Sequence, residues 1–397
     1  MIGGGPAGMM AAGWAGSRGC KVMLVEKNTE VGRKLLLTGK GRCNITSAQD
    51  IQGLIKNIPT NGSFLYGAFH RLSSRDLMGF FEDLGLKLKI ERGKRVFPAS
   101  DRASDVVKVL MSFLIKNEVT ILSETVKNVE FGNNGFSVKL KNERIIGDAV
   151  IIATGGLSYP ATGSTGDGYR FARALGHSIV PAKPALVPIE VNDDWVKELE
   201  GLTLKNISIS IQDEGEELYS DFGELEFTDY GVRGPVILSA SSHLPDASGK
   251  RLIIDLKPAL SLDMLDQRVQ RDFIKYSTKY FRNALGDLLP GKLIEPVVNL
   301  SGIPGEKTVN QITKTERARL VHLLKNLQFT LKRYRPIDEA IVTSGGICVD
   351  EIDSRTMESR LCPGLFFAGE IIDVDGLTGG FNLQIAFSTG YLAGMQC

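Results

Sequence analysis

The sequence predicts an α/β fold whose main domain is assembled from both ends of the chain around an inserted, β-rich module. Three observations carry this. Met1 to Gly8 places glycines at 3, 5 and 8 between an apolar start and a helix-compatible run, Met9 to Arg18. The mostly apolar runs Lys21 to Val25 and Gly364 to Gly369 both lead to an acid, Glu26 and Glu370. Between them, Pro184 to about Pro336 carries no glycine spacing of that kind.

Bulk properties agree with a globular chain. Its 397 residues, 43% hydrophobic, suffice for two or three domains at about 100–200 residues each. The 47 basic and 46 acidic residues nearly cancel, so overall charge points to neither a nucleic-acid nor an anionic-membrane partner. No segment approaches the roughly 18 apolar residues of a membrane span and no secretory leader pattern is seen, so a cytoplasmic location is expected. Cys20, Cys43, Cys348, Cys362 and Cys397 are odd in number, scattered and without a CxxC pair, which argues against a disulfide framework, a zinc site or a dithiol centre.

At the N-terminus, Gly3, Gly5 and Gly8 form the G-x-G-x-x-G spacing, with Pro6 and Ala7 inside it. The glycines serve a tight turn, close backbone approach to a pyrophosphate and close packing of helix on strand. This predicts a Rossmann-type domain. Glu26 stands 18 residues after Gly8, placed to accept hydrogen bonds from an unphosphorylated ribose, as in FAD or NAD. Lys27 follows it. Only Met1 and Ile2 precede the glycines, against a usual strand of about 5–6 residues. Either the first strand is badly shortened or the numbered chain lacks a few native residues.

The segment Val31 to Thr46 holds Arg33, Lys34, Thr38, Gly39, Gly41, Arg42 and Asn44. Its glycines permit close approach to a flat ring, and its cations suit a pyrophosphate or a reduced, anionic flavin. The segment resembles the G-R-K…G-x-G-R-C-N signature of a bacterial family of flavoproteins, variously described as NAD(FAD)-utilizing dehydrogenases or aminoacetone-oxidase-like FAD enzymes, which includes a bile-acid dehydro-reductase. The resemblance recurs along essentially the whole chain and implies non-covalent FAD. Lys40 stands where many members carry glycine, so no ligand role is assigned to it.

A second cluster runs from Ala149 to Gly156, an apolar strand ending in Thr154, Gly155 and Gly156. It resembles the strand that closes over FAD in two-dinucleotide-type flavoproteins. Val126, upstream, joins the cofactor candidates. The T-G-D-G step at Thr165 to Gly168 is similar to one in fumarate reductase and succinate dehydrogenase flavoproteins, although Asp167 reads equally well as a helix cap. A third cluster contains Gly369, Glu370 and Asp373, then Gly379, Gly380, Phe381 and Asn382. An acid after an apolar strand suits ribityl hydroxyls, and the start of a final helix, Phe381 to Ala393, suits the flavin N1–C2=O edge.

The middle of the chain divides further. Val187 to Val191, Ile207 to Ile211 and Leu252 to Asp255 are β-prone; Leu262 to Phe281, Ala284 to Leu289 and Thr315 to Asn326 have helical patterns. The expected domains are 1–184 with 337–397 for FAD, 185–258 with about 327–336 as a β-barrel-like insert, and 259–326 as a helical subdomain. The flavin is expected where the Rossmann-type domain meets the insert, with Asp229, Tyr230 and Arg233 as candidate substrate residues. No metal site is expected, and no catalytic acid or base is identifiable: His70, His177, His243 and His322 lie in no motif.

The expected function is an FAD-dependent oxidoreductase, fed by NADH or NADPH and reducing an activated C=C in a small organic substrate. Any nicotinamide would bind without a Rossmann domain of its own, because no second G-x-G-x-x-G exists. One alternative is an aminoketone oxidase using oxygen. Another is an FAD-containing RNA-modifying or RNA-binding protein, against which the near-zero charge counts. Oligomeric state stays open.

Overall fold

The computed structural model describes residues 1–133 and 135–397. The chain divides into two compact units, Met1–Ala185 with Pro336–Cys397, and Leu186–Arg335.

The first unit is built on a parallel sheet in the order Thr120–Ser123, Met23–Glu26, Ile2, Val150–Ile152 and Leu365–Phe367. The inner strands are buried almost throughout, as expected of parallel strands covered on both faces. The first strand is reduced to a single bridging residue. Ile2 N–H donates to Ile151 O at 2.9 Å and Ile2 O accepts from Ala153 N at 2.8 Å, while Gly3 N–H reaches Val25 O at 2.9 Å.

Helix Pro6–Ser17 is apolar on all sides because it packs against both Ala103–Lys116 and Phe381–Gln396. Two glycines set the second contact. A Cβ on Gly390 would fall 2.4 Å from Ala7 O, and one on Gly394 would fall 2.3 Å from Ala11 O. The helices therefore meet backbone to backbone, joining segments from opposite ends of the chain. An antiparallel meander, Asn128–Gly132, Gly135–Lys139 and Arg144–Gly147, and two smaller sheets complete the unit.

The second unit holds a closed antiparallel barrel in the order Ile189–Val191, Gly231–Arg233, Glu216–Phe227, Thr203–Asp213, Arg251–Asp255 and Leu327–Tyr334. Alternation fills it: Ile207, Ile209 and Ile211 point inward with Leu252, Ile254, Leu327, Phe329 and Leu331. Helices Leu262–Lys275, Phe281–Ala284, Gly291–Ser301 and Lys314–Lys325 follow.

Two helical expectations fail here. The helix from Leu262 stops at Lys275 rather than Phe281, where Tyr276 and Lys275 both bind Asp287 and a bridge pairs Tyr280 with Thr308. Ala284 to Leu289 is not a helix; Gly286 and Pro290 interrupt it, and the helix forms over Gly291–Ser301 instead, with Pro296 inside. Among the described residues no helix is long and apolar enough to cross a membrane, and no group of three or more His, Cys, Asp or Glu is placed to hold a metal.

Candidate functional site

The glycine turn separates two kinds of glycine. Gly3 has φ +102°, and a Cβ there would lie 2.5 Å from Ala153 O; a Cβ on Gly8 would lie 1.9 Å from Gly3 O. Both are required by packing. Gly5 has an ordinary φ of −77° and nothing within 4 Å of its Cβ position, so its open side leaves room for a ligand's backbone approach. Gly5 caps helix Pro6–Ser17 without a side chain, and the first turn has no acid. The leading N–H groups are thus left for an anion such as a diphosphate.

Glu26, 9% exposed, accepts from Gly4 N at 2.7 Å through Oε2, and from Asn28 N at 2.9 Å and Asn28 Nδ2 at 2.6 Å through Oε1. Loop bonds fix the carboxylate: Oε1 already accepts two and Oε2 one, so Oε2 keeps acceptor capacity, which fits a ribose hydroxyl. Lys27 is paired with Asp167 at 2.8 Å. Asp167 is not a helix cap: Gly166 occupies that position and Asp167 is the first helical residue.

Behind the turn, Lys34 Nζ donates to Glu370 Oε2 at 2.6 Å and to Ser158 Oγ at 2.7 Å. Glu370 Oε1 also accepts from Ser158 Oγ at 2.9 Å and Thr343 N at 2.8 Å. Arg33 donates to Asn28 Oδ1 at 2.9 Å. Gly155, at φ +73°, lies beside Ser164 and Glu370, Gly156 sits against Thr343, and Gly369 against Ala7. Candidates from 3–8, 26–34, 154–156 and 369–370 therefore converge. Neither spacing nor motif marks Ser158 and Thr343 in the sequence; they are ordinary polar residues in glycine-rich turns, remote in sequence from their partners.

Within 38–44 four residues are left-handed, with φ +57° at Gly39, +58° at Lys40, +82° at Gly41 and +61° at Cys43, and Arg42 between the last two is right-handed. Thr38 Oγ1 donates to Leu35 O at 2.7 Å. Arg42 is not a free cation: its guanidinium stacks 4.1 Å from the Phe97 ring and pairs with Glu91 at 2.9 Å and Asp101 at 3.3 Å. Gly380 sits directly on Thr46, bringing this segment to the final helix, Phe381–Gln396. That helix also starts without a side-chain cap or an acid. Phe381 packs over Gly379, and the Asn382 amide clamps Gly376 through bonds of 2.8 and 2.6 Å. Val126 is buried in the core beside the sheet. Asn44 Oδ1 and Thr154 Oγ1 are buried without a hydrogen-bond partner among the described residues.

Cys43 is fully buried, and burial pushes its thiol up to about 12. A neutral thiol is a poor nucleophile, so Cys43→Ser is expected to retain flavin and turnover. Complete loss of turnover with FAD still bound would contradict this.

Asp373 and Asp375 are buried beside one another, and burial raises both above the ordinary carboxylate range. Asn61 Nδ2 donates to Asp373 Oδ2 at 3.0 Å, whereas Asp375 Oδ1 has no partner among the described residues. Neither spacing nor motif marks Asp375; its signal is that it is the second of two acids, with Asp373, in the largely apolar stretch Ile371 to Leu377. Tyr169 is buried nearby, its hydroxyl without a partner among the described residues and raised by burial and then by Glu370 and Asp373. A carboxyl raised in the fold binds protons more tightly than in the unfolded chain, so its stability contribution is present at acid pH. It is lost as pH climbs above 3.8. For FAD-free protein, Asp375→Asn should flatten this decline and stabilise at neutral pH by about 1–3 kcal/mol. Thermal melts from pH 4 upward test it, and parallel curves for both proteins would refute it.

In the second unit, Asp229 is exposed, the Tyr230 ring lies 4.4 Å from the Arg335 guanidinium, and Arg233 pairs with Glu226 on the facing strand. His177 belongs to the core of the first unit, bonded to Ser359 Oγ at 2.8 Å and lowered by burial.

Residues 1–396 match the family described as HI0933-like protein Rossmann domain. The chain is 31% identical, over 99% of its length and 97% of the relative's, to the 3-dehydro-bile acid delta(4,6)-reductase of Clostridium scindens. It is 30% identical, over 98% of its length and 95% of the relative's, to the ribosomal RNA dihydrouridine synthase of Escherichia coli. Among solved structures, 3-ketosteroid delta1-dehydrogenase from Sterolibacterium denitrificans matches with a TM-score of 0.51 at 12% identity, covering 99% of this chain and 97% of that one. Quinol fumarate reductase of Escherichia coli gives 0.52 at 16%, covering 100% and 68%. These two share the fold. With its glycine turn, the buried acid Glu26 at the end of the second strand and converging glycine segments, the chain belongs to the HI0933-like family and is an FAD-dependent oxidoreductase.

Proposed function

We propose that the enzyme saturates a C=C conjugated to a carbonyl, with NADH or NADPH as transient hydride donor. The observation that carries this reading is the chemistry common to the two full-length relatives. A bile-acid delta(4,6)-reductase and a dihydrouridine synthase each remove a double bond activated by a neighbouring carbonyl. When bound and reduced by the nicotinamide, FAD would supply the hydride, and a proton taken up from water would complete the saturation. The chain's part is to hold the diphosphate at the Gly3–Gly8 turn and the ribose at Glu26. The uncapped start of Phe381–Gln396 presents positive dipole to charge that develops on reduction.

Two substrate classes fit: a small conjugated enone, as first expected, and the uracil ring of RNA, which the Escherichia coli relative favours at almost equal identity. Anaerobic stopped-flow separates the steps. NADH or NADPH should bleach the flavin, and a steroid dienone or a uridine-containing RNA should restore it. Flavin that aminoacetone bleaches rapidly while both nicotinamides leave it oxidised would replace the reductase reading by an amine oxidase.

A further inference from the structure

We infer that the helical part of the second unit carries a docking face for unpaired RNA, formed by Arg271, Ile274, Lys275, Tyr276, Lys279 and Tyr280. The inference rests on the uracil reading above.

Near-neutrality of the whole chain conceals a segregation of charge. Residues 259–326 hold eleven Lys and Arg against seven Asp and Glu, whereas 186–258 with 327–335 hold nine against fifteen. The basic excess belongs to the helices. On helix Leu262–Lys275, Arg271 lies three and four residues before Ile274 and Lys275 and shares their face. The chain then turns, Lys279 N–H donating to Tyr276 O at 2.9 Å. This places the Lys275 and Lys279 ammonium groups 4.7 and 4.4 Å from the Tyr276 ring centre. Asp287 is the acid within the patch, and it fixes the geometry by accepting from Tyr276 Oη at 2.6 Å and Lys275 Nζ at 2.7 Å. Ile274 is 77% exposed and Tyr280 51%.

A merely solvated helix face has no need of an exposed tyrosine and isoleucine among its cations. Aromatic rings interleaved with Lys and Arg on a fixed backbone suit splayed bases, which stack on the rings while phosphates meet the cations. Duplex RNA hides its bases and would leave the rings unused. A membrane fits less well. The other exposed apolar residues of this helix, Leu262 and Met264, lie about 15–18 Å from Ile274 at the helical rise, which breaks the continuous apolar face that interfacial helices present.

Fluorescence anisotropy of the FAD-loaded protein with a labelled 15-nucleotide oligouridylate, a 15-base-pair RNA duplex of random sequence and anionic phospholipid vesicles tests this. Oligouridylate should bind best. Tyr280→Ala should weaken it about tenfold with the salt dependence unchanged. Lys279→Ala and Arg271→Ala should each reduce the slope of log affinity against log salt by about 0.7. All three variants should keep full flavin content. Unaltered affinity in the variants, preference for the duplex, or binding to vesicles alone would overturn the inference. Reoxidation of reduced flavin by a small dienone needs no RNA, so it reports on the reductase reading separately.

Discussion

Gly5→Ala is expected to give a folded protein that no longer retains FAD, whereas Gly8→Ala loses flavin and fold together. The difference follows from where each methyl would go. At Gly5 it meets nothing within 4 Å and the backbone is already in a conformation that alanine adopts. The apoprotein should keep its melting temperature or gain slightly, since alanine restricts the unfolded chain by about 0.4–1 kcal/mol. The same methyl stands on the open side of the turn, where a pyrophosphate must come closest. At Gly8 the methyl falls 1.9 Å from a carbonyl oxygen of the same turn. Relief would require moving the first helix off the sheet, at a cost of about 3 kcal/mol or more. Flavin absorbance per protein after desalting, with apoprotein melting, separates the cases. A Gly5→Ala protein with full flavin content would show that the diphosphate does not pass there.

Gly390→Val and Gly394→Val should each unfold the flavin unit readily without touching any proposed ligand. Their Cβ positions lie 2.4 and 2.3 Å from backbone oxygens of Ala7 and Ala11, so neither methyl finds space by rotation. A loss of about 3 kcal/mol each is expected from overpacking, or about 6–12 °C for a unit of this size. Melting temperatures within a degree of the parent would mean that the helices can separate at little cost.

What the sequence revealed and what it hid divide along physical lines. Gly3, Gly5, Gly8 and Glu26 were legible because one turn–helix–strand unit fixes their spacing, with Glu26 at the strand end 18 residues after Gly8. The Lys34–Glu370–Ser158 network was not, because its members meet only through the sheet's crossover connections. Arg42 looked available to a flavin for the same reason: Glu91 and Asp101, which neutralise it, come from a later hairpin and loop. Ala284 to Leu289 carried an apolar pattern that would suit a helix, yet Gly286 and Pro290 decide the boundary. Net charge was informative about the sum and silent about its distribution, which the separation of barrel from helices exposes.

The contact of Gly390 and Gly394 with the first helix also dictates an order of events during synthesis. The glycine turn leaves the ribosome well before the helix that buries its neighbour, with the whole insert between them. The barrel and its helices, contiguous from Leu186 to Arg335, can close while the ends of the flavin unit are still apart, and domains generally fold as units in the order they emerge. Folding the insert first shortens the loop that the late helix must close, and closure cost grows with the logarithm of its length. A nascent chain halted before residue 380 would thus hold a finished insert, an exposed apolar first helix and no grip on its cofactor.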